Sequence, residues 1–501
     1  MPYRHTLTMP GMRWNRTDWL IAAVLFITTF LSRVPYRTTM LYAWDSVLYT
    51  RAIEHFDVRL HQPQPPGHIF YVGLVRLANS VFGDPNAAMV WISIFAAAAA
   101  VTMLYFLGRI MFDRNVALVA ALLLATSLSF WLQSEVAYPY TLLGCLSITV
   151  AAMIYPAWNG SKAWVLPSAL ALGIASGFRQ DLLPFLLPLL ALAIWDKGRW
   201  RVAGAVALLL AGAAAWYIPS ALLSGGFAAY REASSAQSEY LMSYFAVSGR
   251  GIEAIKVNLH GLFWFLLYGL STAALLIPVV LTVTTTSSGR RLFRDRRLLF
   301  LLVWIAPSAL FYIFIHIGEY GYVFSFLPPL LLLLAWGLKT AAELISTRPA
   351  RQLNVSQAIW GATVPLILIN ILLFMALSPP LSANRLAARD DILRSRVETI
   401  RENFDPRNTM VISVFDYQQA NYYLPDYQHW HFDPAVEKEP SIAIPDGVCS
   451  VVIFEEYLSP ADGQPSSQLP LDRDQELVFM ERQGAVSVRV DWEERTVYQD
   501  N

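Results

Sequence analysis

Long apolar runs, rather than an alternation of polar and apolar positions, dominate residues 1–379 of the chain. A helix needs roughly 20 apolar residues to span a bilayer, and fewer where it is short or buried. Such runs lie near residues 18–34, 88–109, 115–132, 138–156, 163–178, 182–195, 202–222, 260–284, 298–316, 322–342 and 358–378. The pattern therefore predicts an α-helical polytopic membrane protein with about 11 transmembrane helices.

The hydrophobic pattern changes sharply in residues 380–501, where the apolar runs become short and β-like. These runs lie at residues 410–415, 448–454, 476–480 and 485–490, and helix-like stretches lie near 386–403 and 416–424. We predict a small C-terminal α/β soluble domain of roughly 120 residues, within the usual range for a domain. The domain carries no nucleotide-binding glycine fingerprint and no metal-ligand spacing.

Composition supports a membrane protein and argues against a nucleic-acid partner. The chain is 55% hydrophobic and only 15% charged, whereas soluble domains carry about 25% charged residues. Lysine plus arginine equals aspartate plus glutamate, at 37 each, so no basic footprint for nucleic acid is present. Cys145 lies in an apolar run and Cys449 in the polar tail, and we predict no disulfide framework.

Lysine and arginine residues in the short loops determine the predicted orientation. The arginine cluster at 289–297 is the strongest signal, and it is cytoplasmic if the N-terminus is cytoplasmic. The loops at 35–87 and 223–259 and the C-terminal domain are then extracytoplasmic. The first apolar run is interpreted as a retained anchor rather than a signal peptide, because no small-residue cleavage site follows it. The predicted setting is a prokaryotic plasma (inner) membrane, because the chain lacks eukaryotic retention signals.

The first candidate catalytic residue is Asp45, which follows the first span within Leu41-Tyr-Ala-Trp-Asp45-Ser-Val-Leu-Tyr49. A carboxylate that is partly removed from water at the membrane surface has a raised proton affinity, which suits a general base. The alternative is a structural role as the N-cap of the helix that follows. Both interpretations are open at this point.

A proline-rich segment in the same outer loop presents several polar side chains. Proline fixes its own backbone and restricts the residue before it, and Gly67 permits the close approach of another group. The segment is therefore stiff, and it presents His61, Gln62, Gln64 and His68. A simple turn before the next helix is the alternative, but a turn does not need two histidines and two glutamines.

Further polar groups lie at the predicted outer ends of nearly uncharged spans. They are Glu135 and Tyr138, then Arg179, and then His316 and Glu319. Ionisable groups at membrane depth are costly and often functional. Arg179 could simply pair with Asp181, or it could bind a lipid phosphate, whose geometry a guanidinium matches. Because all these groups fall on one predicted face, a functional role is favoured.

These features together resemble the GT-C membrane glycosyltransferases, and within them the family-39 group and O-mannosyltransferase-like proteins. Asp45-Ser46 matches the Asp-containing motif after the first span, where many members have Asp-Glu. Gln64-Pro-Pro-Gly-His68 is similar to the family's His-Pro-Pro-Gly-Tyr segment, with Gln64 and His68 replacing its His and Tyr. Glu135 and Tyr138 also look like a family feature. The resemblance covers residues 18–200 well and is topological beyond them.

The resemblance implies an inverting transfer of a sugar from a polyprenyl-phosphate donor in the membrane to a hydroxyl acceptor on the outer face. The acceptor could be protein, lipid or cell-envelope glycan. Asp45 would be the base, and Arg179 is the candidate for the donor phosphate. The other candidates for donor or acceptor binding are His61, Gln62, His68, Glu135, Tyr138, His316 and Glu319. No cofactor is implied with certainty, although one aspartate, one glutamate and two histidines could hold a divalent cation.

Two other function classes are weighed against glycosyl transfer. A secondary transporter or lipid flippase often has inverted repeats and charges near the bilayer midplane. Here the polar residues cluster at one face, and the sequence contains no evident repeat. A non-catalytic membrane scaffold would predict that Asp45 is dispensable.

Overall fold

The computed structural model describes residues 15–286, 292–346, 354–377 and 379–500. They form two compact units. The transmembrane unit contains the described chain up to Arg37 and from Ala52 to Ala383. The C-terminal unit contains Thr38–Arg51 and the described chain from Asn384 onward. A piece of the first outer loop, the piece that carries Asp45, is therefore part of the C-terminal unit.

The transmembrane unit consists of helices joined by short connections. Among the described residues these are α1 (Arg16–Arg33), α3 (Ile69–Phe82), α4 (Pro85–Met111), α5 (Arg114–Ala125), α6 (Leu128–Gln133), α7 (Tyr140–Trp158), α8 (Val165–Phe178), α9 (Leu182–Ile194), α10 (Arg199–Leu223), α11 (Phe227–Tyr244), α12 (Val247–Arg250), α13 (Ile252–Leu270), α14 (Ile277–Thr285), α15 (Arg296–Phe314), α16 (Leu327–Ser346) and α17 (Val355–Met375). Helix α2 (Trp44–Glu54) begins in the C-terminal unit.

The predicted polytopic membrane architecture is confirmed, and each predicted span has a helical counterpart. Eight helical stretches of the described chain are long and apolar enough to cross a membrane, and four shorter apolar helices accompany them. The prediction of about 11 apolar spans therefore corresponds, in the described residues, to eight long helical stretches together with shorter apolar helices. The run at 115–132 breaks at Ser127, whose hydroxyl oxygen accepts from Phe130 N at 3.4 Å and caps α6. The run at 260–284 breaks at Ser271, which has a φ of 51°.

Small residues allow close contacts between helices of the transmembrane unit. A Cβ atom on Gly173 of α8 would lie 2.8 Å from the Leu209 carbonyl oxygen of α10, and one on Gly212 would lie 2.8 Å from Gly173. A Cβ atom on Gly108 of α4 would lie 2.8 Å from Cα of Ala117 in α5. Close backbone approach at small residues is typical of helix packing in membranes, and larger residues at these positions would separate the helices.

Several of the helix ends that carry basic residues meet at one end of the transmembrane unit. Asp18 of α1 accepts from Nε of Arg109 at 3.0 Å and from Nη2 of Arg114 at 3.2 Å. Arg297, at the start of α15, donates to the Met111 carbonyl at 3.2 Å, and Arg296 donates to the Trp158 carbonyl at 3.2 Å. The starts of α1, α5 and α15 therefore lie beside the ends of α4 and α7, at the predicted cytoplasmic end.

The C-terminal unit has three layers, and the middle layer is a five-stranded sheet of order β2-β1-β4-β7-β6. A second sheet has the order β3-β8-β9-β5. The strands are β1 (Thr409–Ile412), β2 (Gln428–Trp430), β3 (Ser441–Ala443), β4 (Ser450–Ile453), β5 (Ser459–Pro460), β6 (Ser467–Pro470), β7 (Glu476–Glu481), β8 (Ser487–Asp491) and β9 (Thr496–Asp500), and the helices are α18 (Ala383–Asn403) and α19 (Tyr417–Tyr423). Strand β1 is parallel to β2 and β4, and β7 is antiparallel to β4 and β6.

Alternating residues of β1 and β4 face the two outer layers. Met410 and Ile412 pack with Val488 and Val490 of the second sheet. Val411 and Val452 face the other side and pack with residues of α18 and α19. This period of two is the expected pattern for a strand buried on both faces. The predicted α/β character of the tail is confirmed.

Candidate functional site

Arg179 is a buried cation at the end of α8, with only 7% of the residue exposed. Its Nη2 donates to Oδ2 of Asp181 at 3.0 Å. Its guanidinium also lies 5.1 Å from the ring centroid of Tyr140 and 5.9 Å from that of Tyr322. Aromatic faces stabilise a partly desolvated cation. The structure therefore has both the predicted pair with Asp181 and an aromatic enclosure that the sequence analysis did not predict.

The proline-rich segment brings His68 into electrostatic contact with Arg179. Burial of the imidazole, together with the nearby charge of Arg179, holds the pKa of His68 well below its usual range, so His68 is neutral at pH 7. A Cβ atom on Gly67, whose φ is 105°, would lie 2.8 Å from Cζ of Phe56. The glycine is therefore required for the close approach that the sequence predicted. Tyr230 of α11 donates to the Pro66 carbonyl at 2.7 Å and covers this segment from outside.

His316, Glu319 and Tyr138 lie around the same two tyrosines. The His316 ring is 6.1 Å from the ring of Tyr322, and Tyr138 meets Tyr140 edge-on at 4.6 Å. Glu319 is close enough to Tyr140 for a direct electrostatic interaction. Burial lowers the pKa of His316 to about 4, so this histidine is also neutral at pH 7. We call the set of His68, Tyr138, Tyr140, Arg179, His316, Glu319 and Tyr322 the Arg179 cluster.

Glu135 belongs to a different buried group. It is fully buried, and its Oε1 accepts from Nε1 of Trp131 at 2.9 Å. Arg33, also buried, stacks over the Trp131 ring at 4.3 Å, and its Nε donates to the Ser134 hydroxyl at 3.3 Å. Burial raises the pKa of Glu135 well above its usual value, while the charge of Arg33 and the Trp131 hydrogen bond oppose this rise.

His61 and Gln62 form a tight turn. Asp57 N donates to the Gln62 carbonyl at 2.7 Å, and Gln62 N donates back to the Asp57 carbonyl at 3.0 Å. His61 has a φ of 53°, and its N–H donates to the Val58 carbonyl at 3.2 Å. These backbone contacts correspond to the turn alternative, and the binding role of the two side chains stays a prediction.

Asp45 lies in the C-terminal unit, in the first turn of α2. The helix begins at Trp44, so Asp45 is inside the helix and is not its N-cap residue. The Ser46 hydroxyl accepts from Ala43 N at 3.2 Å. A carboxylate in the first turn is favoured by the helix dipole, and Asp45 is half-buried. The helix bounds thus place Asp45 in the first turn of α2, and its catalytic role stays a prediction.

Comparison with known proteins identifies the fold. A sequence family described as dolichyl-phosphate-mannose-protein mannosyltransferase matches residues 64–224, which include His68, Glu135, Tyr138 and Arg179. The structure of ArnT from Cupriavidus metallidurans bound to undecaprenyl phosphate is similar with a TM-score of 0.52 and 14% identity, covering 93% of this chain and 98% of that one. The predicted resemblance to the O-mannosyltransferase-like proteins is confirmed for residues 64–224, and the ArnT match shows a similar fold.

Further solved structures also match the chain. Apo ArnT from the same organism matches at 13% identity with a TM-score of 0.52, covering 92% of this chain and 98% of that one. An Archaeoglobus fulgidus oligosaccharyltransferase in complex with Zn and sulfate matches at 16% identity with a TM-score of 0.46, covering 82% of this chain and 62% of that one. No curated protein matches the chain in sequence. Within the described residues, no group of three or more His, Cys, Asp or Glu side chains could hold a metal ion.

Three residues that the fold brings into these groups were not predicted from the sequence. Arg33 had a clear signal, because an arginine within an apolar span is costly unless it is paired. Tyr140 and Tyr322 had none, because tyrosines at span ends are common as interface residues. Only the fold reveals that their rings enclose Arg179.

Proposed function

We propose that this protein is an inverting glycosyltransferase that moves a sugar from a polyprenyl-phosphate donor to a hydroxyl acceptor on the outer face of the membrane. The observation that carries the proposal is the buried Arg179 cluster, which lies at the end of a GT-C fold opposite the basic helix ends. The ArnT of similar fold binds undecaprenyl phosphate. A donor of this class would place its phosphate at the membrane surface, where a buried guanidinium can pair with it.

We assign Arg179 to the binding of the donor phosphate. A guanidinium has five N–H groups in a planar fork, and Asp181 engages its Nη2. His68 and His316 are neutral near pH 7, so they can hydrogen-bond to sugar or phosphate oxygens without adding charge. Tyr138 and Glu319 line the same cluster, and we assign them to the binding of donor or acceptor.

The transfer needs one base and no covalent intermediate. Asp45 takes the proton of the acceptor hydroxyl while the hydroxyl oxygen bonds to the anomeric carbon of the sugar. The bond between that carbon and the phosphate oxygen breaks, and polyprenyl phosphate leaves with the electron pair. A single displacement from the opposite face inverts the anomeric configuration. His61, Gln62 and Glu135 keep their assignment as binding residues in this proposal.

The Arg179 assignment predicts a selective loss of donor binding. Arg179→Gln should raise the KM for a polyprenyl-phosphate sugar about 10- to 100-fold, because a charge-assisted hydrogen bond contributes about 1.5–3 kcal/mol. Steady-state transfer rates in proteoliposomes, at varied donor concentration, would measure this change. The matched control is Arg231→Gln, because Arg231 is an exposed arginine of the predicted outer loop at 223–259. If Asp181→Asn and Arg179→Gln destabilise the protein equally without altering donor KM, Arg179 is only the structural partner of Asp181.

The orientation predicts where the C-terminal domain lies. We place the N-terminus in the cytoplasm of a prokaryotic cell and the C-terminal domain outside the plasma membrane, as the basic cluster at 289–297 favours. A phosphatase reporter fused after Asn501 should be active only outside the cytoplasm. The same reporter inserted within 289–297 should be inactive. The reverse pattern would overturn the orientation.

A further inference from the structure

A second set of contacts lies within the C-terminal unit, around the loop piece that carries Asp45. We call residues Thr38–Arg51 the base segment. It is separated by more than 300 positions from the rest of the unit, which begins at Asn384. The base segment is nevertheless joined to the rest of the C-terminal unit by several hydrogen bonds. These bonds are the basis for the role that we infer for the C-terminal domain.

Asp390 of α18 holds the start of the base segment. Its Oδ1 and Oδ2 accept from Thr39 N at 3.1 and 3.0 Å, Oδ1 accepts from Met40 N at 2.8 Å, and Oδ2 accepts from the Thr39 hydroxyl at 2.7 Å. The Asp390 side chain is only 10% exposed. Hydrogen bonds from backbone amides to a carboxylate are charge-assisted and stronger than neutral ones. A single side chain therefore fixes two consecutive peptide groups ahead of α2.

Other residues of the domain extend this attachment on both sides of Asp45. The Tyr423 hydroxyl accepts from Leu41 N at 2.9 Å. The ring of Trp44, directly before Asp45, lies 5.9 Å from that of Tyr417 and 5.3 Å from that of His431. Arg51 donates to Oε1 of Gln418 at 2.9 Å.

We propose that the C-terminal domain is the positioning element for the base: Asp390 and Tyr423 fix the backbone before α2 and thereby hold Asp45 where it can reach the acceptor hydroxyl. Asp390 and Tyr423 are positioning residues, since they act through the base segment. This inference rests on the proposed function for its effect on rate. Without these bonds the loop backbone would recover conformational freedom, and a displacement of about 1 Å at a reacting group can cost about 10²-fold in rate.

The test is Asp390→Asn in the full-length protein, reconstituted in lipid. The amide preserves shape but is neutral, and one of its two terminal atoms is no longer an acceptor. We expect kcat to fall about 10- to 100-fold, while the KM for the donor stays within about twofold of wild type, because the proposed phosphate site at Arg179 belongs to the other unit. Tyr423→Phe, which removes only the hydroxyl, should give a smaller decrease in kcat with the same KM. If Asp390→Asn does not fold, Tyr423→Phe alone tests the positioning role.

Asp391→Asn is the matched control. Asp391 is the next residue of α18, and its carboxylate accepts from Nη2 of Arg473 at 2.7 Å. This substitution also removes a carboxylate charge from the helix, yet we expect kcat and KM to remain close to wild type. If Asp391→Asn lowers kcat as much as Asp390→Asn does, the effect comes from the charge of the helix, and the proposal is overturned.

Hydrogen exchange separates this inference from the proposed function, because it needs no substrate. In Asp390→Asn, the amides of Thr39 and Met40 should exchange faster, while those of β1 and β4 keep their protection. If wild type turns over no donor, the proposed function fails, and faster exchange would still support the attachment. Unchanged exchange at Thr39 and Met40, or an active Asp390→Asn and Tyr423→Phe with wild-type kcat, would overturn the positioning role.

Discussion

Asp45→Asn is expected to lower sugar transfer about 10³-fold or more, with the fold intact. General base catalysis contributes about 10²–10⁴-fold, and asparagine has nearly the same shape as aspartate but cannot take up the acceptor proton. The measurement is transfer of labelled sugar by wild type and variant, at equal amounts of folded protein. Because Arg179 is unchanged, binding of the donor should be preserved.

The matched control for Asp45→Asn is Glu54→Gln, at the exposed end of the same helix. It removes a carboxylate from α2 and should leave transfer within about twofold of wild type. An Asp45→Asn variant that keeps more than about a tenth of wild-type activity would remove Asp45 from the chemistry, since even a weak general base contributes about 10²-fold.

Arg33→Ala is expected to give the largest loss of stability. Arg33 and Glu135 are both almost completely buried, and Arg33 stacks on the tryptophan that donates to Glu135. Arg33 interacts electrostatically with Glu135, and removing one partner of such a buried pair costs about 3–5 kcal/mol. Arg33→Ala also removes the hydrogen bond to the Ser134 hydroxyl. Equilibrium unfolding in mixed detergent micelles would measure the change in the free energy of unfolding.

A double variant tests whether the two charges interact. Arg33→Met with Glu135→Gln removes both charges and should recover much of the stability lost in Arg33→Met alone. Arg37→Ala is the control, because Arg37 is exposed four residues later and should change the free energy by less than about 1 kcal/mol. Additive effects of the two single substitutions would contradict the coupling.

The sequence predicted the helices of the transmembrane unit well, because long apolar runs directly reflect the thickness of the bilayer. It did not predict the breaks at Ser127 and Ser271. Ser127 donates to the Gly269 carbonyl at 2.7 Å, and such a bond between distant segments has no local signal. An apolar run that contains a helix break has the same hydrophobic pattern as an apolar run that forms one continuous helix.

In the tail, the longer buried strands and both helices were predicted, whereas β2, β3, β5, β6 and β9 were missed. Strand β5 has only two residues, and β6 is mostly exposed. Neither has enough apolar alternation to be recognised. These strands exist because they pair with β9 and β7, which is a tertiary property.

The candidate site was predicted in part. Arg179, Tyr138, His316 and Glu319 were selected as polar groups at predicted outer span ends. His68 was selected from the proline-rich segment, and the structure brings all five together. The attachment of the base segment to Asp390 was not predictable, because the bonded residues are about 350 positions apart. The hydrophobic pattern of a single sequence does not indicate which distant residues form a hydrogen bond.

The decisive measurement of sugar transfer supplies purified protein in lipid nanodiscs with a panel of radiolabelled polyprenyl-phosphate sugars and hydroxyl acceptors. We predict that the labelled sugar moves to an acceptor with its anomeric configuration inverted, while an equal amount of polyprenyl phosphate is released. If folded protein neither binds nor turns over any donor, or if proteoliposomes move the donor across the bilayer without a new glycosidic bond, the glycosyltransferase account is contradicted.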